Sequence, residues 1–124
     1  MTFYNPPVED FEFILNKVLK LDRYSNLEGF EEASPDLISA ILEESGKLAS
    51  EVFHPINQSG DMEGCHWENG KVTTPKGFKE AYDAYVEGGW QGLTADPQYG
   101  GQGLPAVLGL CVSEMLIAAN WGLS

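Results

Sequence analysis

The stretch SPDLISAILEESGKLASEVFHP, residues 34–55, repeats its apolar side chains at helical spacing, and no strand pattern of comparable length occurs elsewhere. Ile38, Ile41, Leu42, Leu48, Val52 and Phe53 form one stripe, with Glu43, Glu44, Lys47 and Glu51 left to face water. Ser34 is placed to cap this helix, Pro35 suits its first position, and Asp36 falls in the first turn. Pro55 should end or kink it. Gly46, in mid-helix, costs about 1 kcal/mol relative to Ala, so close packing is the expected reason for it.

Three further segments share this period. After Pro6 and Pro7, the pair Glu9 and Asp10 opens a short helix whose Phe11, Ile14, Leu15 and Val18 lie on one face. Thr74 and Pro75 are expected to cap another, with Phe78, Tyr82, Tyr85 and Val86 on a common face and Gly88-Gly89 stopping it. Trp90 and Leu93 should pin the next turn to the core. The last helix follows Pro105, read as its first residue, and is apolar round most of its circumference, as a central helix would be. It has no capping motif beyond it and no Lys or Arg after Lys79, so the chain is expected to stop within the element, as a piece of something longer. The one β signal is GCHWENGKVTTP, where Asn69-Gly70 suits a type I′ hairpin turn. The expected class is all-α with at most one short β-hairpin. Residues 1–33 form an N-terminal extension helix and acidic connector, and residues 34–124 the main helical domain, truncated at its C-terminal helix.

Charge narrows the function. The formal net charge is −12, and residues 1–64 hold 13 acidic and 4 basic side chains. No basic stripe offsets that field, which argues against nucleic acid as a partner. The apolar run over residues 104–123 is interrupted by Gly109, Ser113, Glu114, Asn120 and Gly122, so it reads as a buried helix and no membrane partner is expected. Two cysteines, Cys65 and Cys111, make no disulfide framework, and no signal peptide is apparent. A cytoplasmic setting is expected.

DPQYGGQGLP, residues 96–105, raises the question of a phosphate loop. Gly101 to Ala106 formally fits G-x-G-x-x-A, but that fingerprint needs a preceding buried strand within a βαβ unit. Pro97 stands where such a strand would need its N–H. A tight connection between packed helices, with glycines supplying positive φ, is the better reading. His54, Cys65 and His66 lack metal-ligand spacing, so no metal is expected, and His54 is read as a helix-end residue meeting carbonyls. Glu43-Glu44 reads as a solvated face. Glu114, inside the apolar helix, is expected to be buried and to need a hydrogen-bond or ion-pair partner.

YGGQGLP followed by a helix containing SEML, with GGWQGL ahead of it, resembles the N-terminal α-helical domain of the flavin-dependent acyl-CoA dehydrogenases. YNPPVEDFEFIL and residues 59–90 are similar to one subgroup with an extra N-terminal segment. The resemblance covers essentially the whole chain. It implies a protein with a further β-domain and a C-terminal helical bundle, which oxidises the Cα–Cβ bond of an acyl-CoA thioester. A carboxylate base removes the α-proton, FAD takes the β-hydride, and an electron acceptor reoxidises the flavin. Catalytic base and flavin contacts would lie downstream, so the resemblance assigns no catalytic or cofactor-binding residue here, and this segment alone would be inactive and would not bind FAD. It also implies a homo-oligomer. By motif position Asn120, Leu123 and Ser124 would line one wall of the acyl pocket. Their i, i+3, i+4 spacing allows one helical face to present all three. A stand-alone acidic helical interaction module is the alternative reading.

Overall fold

The computed structural model describes residues 3–124. Its helices are α1 (Val8–Phe13), α2 (Pro35–Lys47), α3 (Asn57–Glu63), α4 (Phe78–Glu87) and α5 (Ala106–Ala119). One antiparallel hairpin, β1 (His66–Glu68) and β2 (Lys71–Thr73), pairs Trp67 with Val72 and Glu68 with Lys71. Among the described residues the class is therefore all-α with a single short hairpin.

Helix α2 lies at the centre, packing on α1 and on α5. Its start follows the sequence reading: the Ser34 hydroxyl accepts from the Leu37 N–H at 3.2 Å, with Pro35 as the first helical residue. Ile38, Leu42, Leu108 and Met115 are fully buried and form the middle of the core. Each such side chain contributes roughly 1.5–3 kcal/mol of burial free energy. Gly46 has the expected packing role. A Cβ there would lie 3.2 Å from Pro6 Cβ, so the N-terminal segment sits directly against the helix backbone.

Pro55 neither ends nor simply kinks this rod. Over Leu48–Phe53 the helix widens by one residue per hydrogen bond, the His54 N–H reaching Ala49 O, and then tightens over His54–Ile56. The wide turn absorbs the proline, which has no N–H to give, and α3 continues beyond it. A second wide turn, Ile14–Val18, follows α1, closed by Leu19 N–H to Ile14 O at 2.8 Å. It disturbs the 3.6-residue phase, so Phe11 and Leu15 are buried while Ile14 and Val18, expected on the same face, are exposed.

Two other expectations shift. Helix α4 starts at Phe78, capped by Gly77 rather than by Thr74 and Pro75. Its inward face is Phe78, Ala81, Ala84 and Tyr85, leaving Tyr82 and Val86 exposed. Helix α5 turns Leu108, Cys111, Val112, Met115, Leu116 and Ala119 inward, and leaves Leu110 and Ile117 outward. Glu114 shares that outer face and is exposed, so the expected buried carboxylate does not exist. Pro105 precedes α5 in an extended conformation, one position before the helix proper. Leu93 is buried and Trp90 packs half-buried against the core, as read.

Candidate functional site

The glycine-rich loop is resolved by its amides. Gly100 N–H donates to Pro97 O (3.0 Å), Gly101 to Asp96 O (3.2 Å), Gln102 to Gly92 O (2.8 Å) and Gly103 to Ala95 O (2.9 Å). A phosphate cradle needs N–H groups pointing at the ligand, and these four are already engaged. Gly100 and Gly103 have positive φ, as expected, but Gly101 does not. Its reason is contact: a Cβ at 101 would run into the Ala95 carbonyl. The loop is a tie between the turn at residues 90–95 and the start of α5.

A small, mainly apolar concavity lies at the other end of α5. Phe53, Tyr82, Tyr85, Ser113, Leu116, Ile117, Leu123 and Ser124 line a cleft of about 250 Å³. Phe53 comes from the wide turn after α2, the tyrosines from α4, the middle three from α5, and the last two from the turn that follows. The rings of Phe53 and Tyr85 lie 6.4 Å apart at 56°. Burial, with a smaller contribution from Tyr82, pushes the Tyr85 hydroxyl above the usual phenol range, so at neutral pH it is a neutral donor and acceptor. An apolar lining with four hydroxyls suits the binding of a mainly hydrocarbon group.

The three residues singled out from sequence do not share a helical face. Helix α5 ends at Ala119, and Asn120 leaves it with φ −159° and ψ 91°. The chain then folds back in a turn, Ser124 N–H donating to Asn120 O at 3.1 Å. Leu123 and Ser124 are thereby brought into the cleft, while Asn120 is outside its lining and only 1% exposed. The Asn120 side chain is bonded at both ends of its amide. Its Nδ2 donates to Phe53 O at 3.1 Å, and its Oδ1 accepts from the Leu123 N–H at 3.1 Å. Phe53 and Tyr85 were read from sequence only as helix-face residues, and Leu116 was not singled out. The closeness of Tyr85 to Phe53 joins segments far apart in the chain, which periodicity does not reveal.

Other candidates yield little chemistry. Among the described residues no group of three or more His, Cys, Asp or Glu side chains is placed to hold a metal ion. The His54 ring meets Tyr4, centroids 6.2 Å apart. Cys65 is exposed and Cys111 buried, both as free thiols. Burial, assisted by the Glu114 carboxylate, pushes the Cys111 thiol up. Among the described residues no helix is long and apolar enough to cross a membrane.

Fold and cleft together define a helical domain that presents an apolar recess. No family model matches the chain. Individual proteins do. Over 94% of its length it is 37% identical to 3-methylmercaptopropionyl-CoA dehydrogenase of Ruegeria pomeroyi, covering 20% of that protein. Over 86% it is 30% identical to butyryl-CoA dehydrogenase of Syntrophomonas wolfei, covering 17%. Over 97% it is 26% identical to the broad-specificity linear acyl-CoA dehydrogenase FadE5 of Mycobacterium tuberculosis, covering 20%. The chain belongs to the acyl-CoA dehydrogenase family. It spans about a fifth of the length of these curated relatives.

Proposed function

We propose that the chain is the N-terminal helical domain of an FAD-dependent acyl-CoA dehydrogenase, which oxidises the Cα–Cβ bond of an acyl-CoA thioester. The observation that carries this reading is the apolar cleft of Phe53, Tyr85, Leu116, Leu123 and Ser124, set in a chain whose relatives all bear acyl-CoA dehydrogenase names. In this reading the domain supplies one wall of the acyl pocket. Leu123 and Leu116 bury hydrocarbon, Tyr85 and Ser124 bound the recess, and the wall keeps water from the chain being oxidised.

The flavin does not fit the residues described. The glycine-loop amides from Gly100 to Leu104 are already bonded to backbone carbonyls, and the whole chain carries 7 basic against 19 acidic side chains. The contacts to FAD and the catalytic base are therefore assigned to the rest of the protein. On its own the segment is expected to be inactive and to bind neither FAD nor acyl-CoA. The electron acceptor, the homo-oligomeric state and the cytoplasmic location belong to the same proposal.

Enlarging the wall tests it. Leu123→Phe and Ser124→Leu in the full-length protein should shift preference toward shorter acyl chains, with flavin content unchanged, in steady-state kinetics across acyl lengths. Unaltered chain-length preference in both variants, with flavin retained, removes this cleft from the substrate path.

A further inference from the structure

Asn120 was expected to touch substrate, yet both ends of its amide are engaged with the protein. Its Nδ2 holds the carbonyl of Phe53 and its Oδ1 holds the amide of Leu123, each at 3.1 Å. Both partners are residues that line the cleft, from segments far apart in the chain. Phe53 stands on the wide turn that follows α2, and Leu123 on the turn after α5. Sixty-seven residues separate Asn120 from Phe53 in sequence. We propose that Asn120 is a positioning residue, a clamp that sets the gap between the Phe53 and Leu123 walls and so fixes which acyl groups the cleft admits.

The local backbone explains why a clamp is needed at this point. In a regular helix the Asn57 N–H would bond Phe53 O, but here it bonds His54 O, because the chain tightens at Pro55. That leaves the Phe53 carbonyl without its regular helical donor and open to one from elsewhere in the chain. On the other side, α5 has ended, so the Leu123 N–H has no regular helical ladder to hold it. It is shared between the Asn120 carbonyl at 3.4 Å and the side-chain oxygen. An amide serves both needs with one rigid planar group, donor at one end and acceptor at the other. Asp offers only acceptors when ionised, and Leu offers neither. A side chain 1% exposed with all its partners inside the protein is built to hold geometry.

The proposal rests on reading the cleft as an acyl wall, and its test separates the two. Asn120→Asp in the full-length protein keeps the acceptor toward Leu123 and removes the donor toward Phe53 O. Hydrogen–deuterium exchange should speed up about tenfold or more in peptides covering residues 53–57 and 120–124, as expected for a lost buried hydrogen bond. Acyl chain-length selectivity, read as the ratio of kcat/KM between short and long substrates, should broaden, chiefly through KM. The effect should reverse at lower pH. Burial disfavours the introduced carboxylate, and Asp61 and Cys65, which border the groove on the other side of residue 120, do not favour it either. Once protonated, the carboxyl can again donate to Phe53 O, so the variant's selectivity relative to the unaltered protein should recover as pH falls. Faster exchange with unchanged selectivity upholds the clamp and overturns the acyl-wall reading. Unchanged exchange in both peptides overturns the clamp, as does a defect that pH does not relieve. Should Asn120→Asp fail to fold, Asn120→Ser carries the exchange and selectivity measurements, because its short hydroxyl cannot reach both partners. Unchanged exchange and selectivity in that variant also overturn the proposal.

Discussion

The glycine loop at residues 96–105 and the hairpin of β1 and β2 are both turns built on glycine, yet they are held in different ways. In the loop, successive amides from Gly100 to Leu104 each donate to a backbone carbonyl in residues 92–97. The hairpin rests on its own short ladder, with every residue of both strands exposed. At its tip Asn69 has φ 51° and Gly70 φ 76°, the pair of positive angles a type I′ turn requires. A Cβ at Gly70 would meet nothing within 4 Å, whereas one at Gly101 would meet the Ala95 carbonyl. One glycine answers a torsional demand, the other a spatial one. The two demands carry different penalties when glycine is replaced.

The sharpest expected contrast is chemical. Cys65 sits exposed beside the hairpin, while Cys111 lies on the buried face of α5, the helix that the loop anchors. A maleimide should modify Cys65 at least about a hundredfold faster than Cys111, since the buried thiol reacts only through opening of the fold and its pKa is pushed up. Mass spectrometry of the labelled protein reads the ratio, and comparable rates would break the distinction between the two regions. Next in size, Gly101→Ala should cost about 3 kcal/mol, because the obstructing group is backbone and cannot swing aside. Gly70→Ala should cost about 1 kcal/mol, the ordinary penalty for a left-handed residue with free space around it. Denaturant titration of both variants measures the difference. Equal losses would mean that the Gly101 contact relaxes more easily than the packing implies.

The pH behaviour of Cys111 follows the same division. Its raised pKa means that the folded state favours the neutral thiol. The stability this confers is complete below the ordinary thiol pKa and is lost as pH rises through the raised value.

Much of this was legible in the chain. The α2 stripe, its Ser34 cap, the Asn69-Gly70 turn and the packing role of Gly46 all follow from periodicity or from local chemistry. Two of the misplacements share a cause, which is that a 3.6-residue period was carried across places where the backbone departs from it. The wide turn at Ile14–Val18 exposed Ile14 and Val18, and the one at Leu48–Phe53 carried the chain past Pro55 into α3. Glu114 failed differently. Mean apolarity suggested a helix enclosed on all sides, but α5 is buried along one face only. The cleft was the least legible part, since it joins residues from four segments and depends on a hydrogen bond between Asn120 and Phe53 that no local pattern announces.

Composition and mechanical strength thus part company in this molecule. Residues 96–105 look like a flexible linker by their glycines and prolines, and a protein engineer dividing the gene by that criterion would cut through one of its most firmly tied turns. The tip at Asn69-Gly70, exposed and with nothing within 4 Å of a Cβ at Gly70, is the place where a foreign segment can be spliced in while the helices stay together.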